Sequence, residues 1–336
     1  MAQFTIYRSS DASAPSLTNA TGSLITVLND ILVAGYGSKT GAGWTAPAGL
    51  QGTNHWAFLN ASPASPSGSG TGFYLDVNDN GPGAGGGSEA RITGYETMST
   101  VGTGTAQFPL AGSSQGVSPY GFVVARKAVG SAARPWIAFA DNLTLYFFAQ
   151  TDTTTQYTGF AFGDIYSMAG SSDNWRCLII GRGTENNIAY NYGAMDVCSF
   201  AGYAATSFAG ATITHYLDRT YAGSGTSITA GKHGDVVKAN SPTAASLCLG
   251  LYGCQTPNGP DNSLYVSPVW VTEPTHATVR GQMRGFWHLC HPIGTFTDGQ
   301  VLTPTGALYG KTFQVVRPTE SGGCIAVETS NTLLTN

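Results

Sequence analysis

Hydrophobic positions near the N-terminus repeat at the spacing of an α-helix. The repeat at i, i+3, i+4, i+7 and i+8 is formed by Leu24, Val27, Leu28, Ile31 and Leu32. These positions share one face of a helix, so the segment is expected to pack across a sheet. A helix over residues 23–34 is therefore predicted, with Ser23 as its N-cap and Gly35 as its C-terminal stop.

Most of the remaining pattern is that of short strands between Gly, Pro and Asn residues. The segment WIAFADNLTLYFFAQ (136–150) predicts two strands joined at the turn pair Asp141-Asn142. Trp136, Tyr146 and Phe148 lie in these strands and are expected to be buried. Further strands are predicted at 4–7, 73–77, 90–95, 121–126, 160–166, 175–182, 264–271, 312–316 and 324–329.

This pattern predicts a mainly β protein, with antiparallel sandwich or barrel-like domains and one or two short helices. Segments rich in Gly, Ser and Pro divide the chain into three predicted parts. Residues 1–112 form an N-terminal β-rich domain that contains the helix at 23–34. Residues 113–262 form a central antiparallel β domain. Residues 263–336 form a C-terminal β segment, either separate or packed with the central domain.

Charge changes this picture, because charged residues make up only 10% of the 336 residues, against about 25% in ordinary soluble domains. A surface with few charges suits close packing against identical or related subunits, since few charges must lose their water. The net charge is −4, and the sequence contains no basic stripe of the kind that binds phosphates. A nucleic-acid partner is therefore not expected. No run approaches the roughly 20 apolar residues of a membrane helix, so no membrane partner is expected.

Two segments contain residue types that bind metal ions. Asp76–Gly81 (DVNDNG) matches the first half of a calcium loop, but its twelfth position is Gly87, and Glu89 comes two residues late. A turn rich in Asn and Asp is the favoured interpretation, and calcium binding by this loop stays open. His288–His291 (HLCH) has no second Cys/His pair at zinc spacing, which favours a strand end. No metal and no cofactor is predicted.

Catalytic motifs are missing from the sequence: there is no G-x-S-x-G elbow, P-loop or H-E-x-x-H. Asp164, Asp173 and Glu185 could pair as the acid and base of a glycosidase, but ordinary solvated carboxylates are the favoured interpretation. No catalytic residue is predicted. The sequence contains six cysteines, at positions Cys177, Cys198, Cys248, Cys254, Cys290 and Cys324. Buried free thiols are their favoured state, and disulfides and metal binding stay open.

Several strings of the sequence resemble a family of virion structural proteins encoded by tailed bacteriophages. The strings are FTIYRSSDASAPSLTNATGSLITVLNDILVAGYGSKTGAGWT (4–45), GSEARITGYETMS (87–99), ARPWIAFADNLTLYFF (133–148), FGDIYS (162–167), RGFWHLCHPIG (284–294) and GGCIAVETSNT (322–332). The resemblance is strongest before residue 150. It implies a component of the tail, its fibres or the capsid exterior, and it brings no catalytic residues.

The expected function is therefore a non-enzymatic structural component of a tailed-phage virion, assembled in the host cytoplasm. Its expected place is the tail (tail, collar, baseplate or fibre attachment) or the capsid exterior as a decoration. Other virion proteins and further copies of the chain are the expected partners. A module of a receptor-binding protein that binds host-surface glycan is the alternative, and a polysaccharide-degrading tail enzyme is a less favoured one.

Overall fold

In a computed structural model, β-strands are the main secondary structure of the described residues. The structure describes residues 4–61, 70–80, 89–110, 121–128, 130–150, 157–182, 213–225, 228–229, 231–232, 266–273, 279–289, 296–306, 308–316 and 324–330. The predicted fold class, mainly β with antiparallel sandwich or barrel-like domains and one or two short helices, is confirmed: the described sheets are consistent with a sandwich and there is one short α-helix among the described residues. None of the sheets formed by these residues closes into a barrel.

The strands are numbered in chain order. They are β1 (Thr5–Arg8), β2 (Gln51–Gly52), β3 (His55–Leu59), β4 (Tyr74–Asn78), β5 (Glu89–Tyr95), β6 (Thr97–Thr100), β7 (Thr103–Thr105), β8 (Val123–Arg126), β9 (Trp136–Ala140), β10 (Thr144–Gln150), β11 (Tyr157–Asp164), β12 (Tyr166–Ser167), β13 (Cys177–Arg182), β14 (Ile213–Leu217), β15 (Ile228–Thr229), β16 (Gly231–Lys232), β17 (Val266–Thr272), β18 (Val279–Leu289), β19 (Val301–Leu302), β20 (Phe313–Val316) and β21 (Cys324–Glu328).

Two sheets contain nearly all of these strands. The larger, twelve-stranded sheet has the order β1-β9-β10-β11-β13-β8-β5-β4-β3-β2, with β14 and β15 branching from β13. The smaller, seven-stranded sheet has the order β16-β17-β18-β21-β20-β19, and β12 joins it through β18. Strands β6 and β7 form a separate hairpin, and all recorded pairs are antiparallel.

The larger sheet curls, so that strands far apart in its order meet again. Asn60, just after β3, donates from Nδ2 to the carbonyl oxygen of Leu143 at 3.2 Å, beside the start of β10. The backbone N–H of Ala61 donates to the carbonyl oxygen of Asn142 at 2.8 Å. As a result Val77 of β4 and Phe147 of β10 belong to one hydrophobic cluster, together with the helix. We call this cluster the first core.

Strands β9 and β10 are buried on both faces, which explains their nearly continuous hydrophobic sequence. Side chains alternate along a strand, so Phe147 points into the first core and Phe148 points to the opposite side. There Phe148 packs with Phe286 and Ile325 of the smaller sheet, in a second core between the two sheets. Trp136, Tyr146 and Phe148 are buried, as predicted.

The predicted helix occupies its predicted range but differs at both ends. Helix α1 runs over Ser23–Asn29 and continues as a π-helical turn over Asp30–Ala34. The five predicted apolar residues are fully buried. The prediction of Ser23 as N-cap is wrong: Gly22 occupies that position, and Ser23 Oγ binds the backbone of Thr18 instead. Gly35 follows the last turn with φ of 78°, as expected for a stop.

Strand β18 is the longest strand of the described chain, and the sequence predicted only its end, near His288. Its segment VRGQMRGFWHL contains buried Arg280 and Arg284, whose charges hide the strand from a hydrophobicity pattern. The three-part domain division stays a prediction. Hydrogen-bonded strand pairs cross both of its boundaries, since β5 pairs with β8 and β12 pairs with β18.

Candidate interaction surface

Most charged side chains of the described residues lie inside the protein as ion pairs. Lys127 and Asp79 have no exposed side-chain surface and are 2.5 Å apart. Arg176 Nε lies 3.2 Å from Asp164 Oδ2, and a buried guanidinium, Arg284, is paired with Asp141 between the two sheets. Buried charges need such partners, because an unpaired ion loses its hydration without compensation.

The outer surface is correspondingly poor in charge. Among the side chains that the structure describes, Asp298 is the one charged group that is largely exposed. Exposed positions are mostly Ser, Thr, Ala and Gly, as in the hairpin of β6 and β7, where Thr97 and Thr105 share a hydrogen bond of 2.7 Å. Such a surface can be covered by a neighbouring subunit with little desolvation of charge.

Three exposed hydrophobic side chains gather at one end of the smaller sheet. Met168 (68% exposed), Tyr221 (47%) and Val279 (48%) all lie around the start of β18. Met168 donates its backbone N–H to the carbonyl oxygen of Arg280 at 2.9 Å, and Val279 precedes Arg280 in the chain. The Tyr221 ring centre lies 5.7 Å from the Arg280 guanidinium carbon. We call these three residues the apolar patch.

An ionic network lies beneath the apolar patch and joins both sheets. Arg280 donates from Nε and Nη2 to the two carboxylate oxygens of Asp173, each at 2.6 Å, and from Nη1 to Glu273. Arg219 Nε donates to Glu96, which follows β5 of the larger sheet. We call this network the end cluster; its six members are Glu96, Asp173, Asp218, Arg219, Glu273 and Arg280.

Asp218 differs from the other members of the end cluster because neither of its carboxylate oxygens has a hydrogen-bond partner. Its side chain is fully buried, and its nearest cation, Arg219 Nε, is 4.0 Å away. Burial, followed by the neighbouring Glu96 carboxyl, raises the pKa of Asp218 to about 9, against the opposing effects of Arg219 and Arg280. Sequence reasoning missed this residue, because no local pattern marks it.

The carboxyls considered as a catalytic pair are held by arginines. Asp164 accepts hydrogen bonds from Thr71 and Asn60 beside its ion pair with Arg176, and Asp173 is bound by Arg280. Burial raises the pKa of Asp164, and the Arg176 charge opposes this rise. The expectation that these two are ordinary solvated carboxylates is wrong, since both are buried. Glu185 lies outside the described residues.

The two carboxylates of the calcium-like segment serve different protein partners. Asp76 accepts from His55 Nε2 at 2.9 Å and from the backbone N–H of Gly102 at 3.2 Å. Asp79 binds Lys127 and accepts from the Leu24 N–H. Asn80 donates its backbone N–H to Asn78 Oδ1 at 3.2 Å, which is the contact of an Asx turn. Within the described residues no cluster of three metal-ligating side chains occurs.

The cysteines and the HLCH segment are described only in part. Cys177 is a buried free thiol, as predicted. Burial raises its pKa well above the usual value, and the nearby Asp164 and Asp218 carboxyls add to that rise. His288 belongs to the end of β18, and Cys290 and His291 lie outside the described residues. The side chains of the other five cysteines are likewise not described.

Comparison with known proteins found no family model that matches the chain and no curated protein similar to it. Within the described part of the chain, no helix has the length and hydrophobicity needed to cross a membrane.

Proposed function

We propose that this chain is a non-enzymatic structural component of a tailed-phage virion, on the tail or the capsid exterior, that works in several copies. The charge-poor outer surface is the observation that carries this proposal. Many charges of the described residues are buried in pairs such as Lys127–Asp79, and the exposed described positions are mostly small uncharged side chains. Subunits of a particle bury their surfaces permanently, and burying a surface with few charges requires little desolvation free energy.

The rigidity of the fold supports the same proposal. Two cores lie on the two faces of β9 and β10, and the Arg284–Asp141 pair ties the sheets together. The outer edge of β1 is also occupied, because Lys39 Nζ donates to the carbonyl oxygen of Ile6 and Tyr36 Oη binds the backbone of Arg8. A covered edge does not accept a further strand, so assembly would not extend the larger sheet at β1.

Cryo-electron microscopy of particles of the phage that encodes the chain tests the proposal. We expect density that fits the two packed sheets at repeated, symmetry-related positions, with the Ser- and Thr-rich surface against neighbours. Density on the capsid lattice would make the chain a decoration protein, and density on the tail would make it a tail, collar or baseplate component. A particle whose density is fully explained by other proteins would refute the proposal.

A further inference from the structure

Asp218 poses a physical problem that the folded chain must solve. The residue follows β14, has no exposed surface, and donates only its backbone N–H, to the carbonyl oxygen of Cys177 at 3.2 Å. An ionised carboxylate in that position would have neither water nor a donor. A buried acid in such surroundings is stabilised by a counter-charge, by a metal ion or by a proton.

The cations near Asp218 are committed to other acids. Arg219 gives its Nε proton to Glu96, and that nitrogen stands 4.0 Å from Asp218, beyond hydrogen-bond distance. Arg280, which reaches Asp218 from β18, is bound to Asp173 and Glu273. Their charges lower the pKa of Asp218 only in part, after the larger effects of burial and Glu96 have raised it.

Among the described groups that act on Asp218, Glu96 is an acceptor for its proton. Cys177 faces it from β13 as a neutral thiol, because burial raises the pKa of that thiol well above its usual value. Glu96 faces it from the end of β5, and its carboxylate is already held in place by Arg219. A metal ion is a poor fit, because the Arg219 guanidinium stands beside the same two carboxyls.

We propose that Asp218 is protonated in the folded protein and donates a hydrogen bond to Glu96, forming a proton-dependent latch between β14 and the β5–β6 junction. The latch lies within the end cluster, where Arg219 and Arg280 connect the larger sheet to the smaller one. Removing the proton leaves two like charges side by side in a buried place. The end cluster is therefore expected to hold more tightly in acid and to loosen in alkali.

The pH range follows from the pKa of Asp218 in the two states. Its pKa is about 9 in the folded chain and 3.8 as the ordinary reference value. Below about pH 4 both states hold the proton, and the contribution of Asp218 to the free energy of unfolding is present in full. Between these values the unfolded chain releases the proton while the folded chain keeps it, so stability falls as pH rises. Above about pH 9 Asp218 is ionised in both states, and its contribution to the free energy of unfolding is lost.

Melting temperatures of the full chain and of Asp218→Asn, measured from pH 4 to pH 10, test the latch. Asparagine has nearly the same shape, donates to Glu96 and does not titrate. The melting temperature of the variant should therefore rise steadily relative to that of the wild type as pH rises toward 9. Asp298→Asn, a matched change on the exposed surface, should keep a constant offset from the wild type. Parallel curves for wild type and Asp218→Asn would overturn the proposal.

Two further measurements complement the melting curves, and the first uses the wild type alone, so it stays decisive if the variant folds poorly. The infrared spectrum of the wild type at pH 7 should contain a protonated carboxyl band that disappears only above about pH 9, and absence of the band would contradict the latch. Adding millimolar Ca²⁺ should leave the melting temperature unchanged. A rise that Asp218→Asn abolishes would show that the pair holds a cation instead of a proton. The latch does not depend on the proposed virion role.

Discussion

Lys127 and Asp79 form an ion pair with no exposed surface, 48 residues apart in the sequence. Burial raises the pKa of Asp79, the charge and hydrogen bond of Lys127 oppose that rise, and burial lowers the pKa of Lys127. Asp79 also accepts the Leu24 N–H, so it caps α1 from the end of a strand. One carboxylate therefore connects β4, β8 and the helix.

Lys127→Met should lower the free energy of unfolding by about 3–5 kcal/mol, because it leaves the Asp79 charge buried without a counter-ion. The double variant Lys127→Met, Asp79→Asn should recover most of that loss, since no charge remains and the cap acceptor is retained. Urea unfolding measures both. Lys39→Met, at the half-exposed pair with Asp11, is the control and should cost about 1 kcal/mol or less. Equal effects at the two lysines would contradict this account.

At this scale the sequence allows prediction of apolar burial but not of ionic partners. Leu24 and Phe148 were predicted to be buried because their neighbours repeat at helix or strand spacing. Asp218 and Arg280 are equally buried, yet their burial depends on partners from other strands, far away in the sequence. A polar side chain gives no local signal of such a partner.

The helix ends illustrate how single elements are fitted to the whole. Gly35 ends the π-helical turn with φ of 78°, and a Cβ there would stand 2.3 Å from the carbonyl oxygen of Lys39. Both the backbone angle and the contact favour glycine. The stop was predicted from local residue preference, whereas the capping role of Asp79 was not, because it comes from a distant strand.

Gly35→Ala should destabilise the protein by about 1–3 kcal/mol, because alanine disfavours the positive φ and its Cβ meets backbone that cannot move away. The measurement is the shift of the urea unfolding midpoint at constant slope. Gly49→Ala is the matched control, since a Cβ at that position would have nothing within 4 Å. The explanation fails if Gly35→Ala is as stable as Gly49→Ala.

Strand β10 should respond to truncation on both of its faces. Phe147→Ala and Phe148→Ala remove fully buried rings from the first and second cores, so each should cost about 3–5 kcal/mol. A strand with one face in solvent would show a large effect at only one of the two positions. Thr97→Ala, on the exposed hairpin, should stay within about 0.5 kcal/mol of the wild type. Urea unfolding of the three variants makes the comparison.

At the scale of the whole molecule, the described residues form two packed sheets that bury many of their charges in pairs and expose mostly small uncharged side chains. Low charge content in the sequence predicted a charge-poor surface. It did not predict that the remaining charges would be buried in pairs, nor that Met168, Tyr221 and Val279 would meet in the apolar patch. Long-range strand pairing decides both features, and neither can be obtained from local pattern.

The proposed association between copies of the chain should depend little on salt. Contacts between uncharged Ser, Thr and apolar surfaces contain few ion pairs for salt to screen. Sedimentation equilibrium at 50 mM and 500 mM NaCl should therefore give association constants that agree within about threefold. A drop of tenfold or more at high salt would show that charged contacts drive association.

Quantitative mass spectrometry of purified particles tests the central claim most directly. Under the proposal a tailed phage encodes the chain, so particles of that phage would be purified by density gradient, with the major capsid protein as the reference for copy number. A structural component should be present at a fixed, repeated number of copies per particle, and should stay with the particles through a high-salt wash. If the chain is found only in the soluble lysate, it is not a virion component, and the proposed function is wrong.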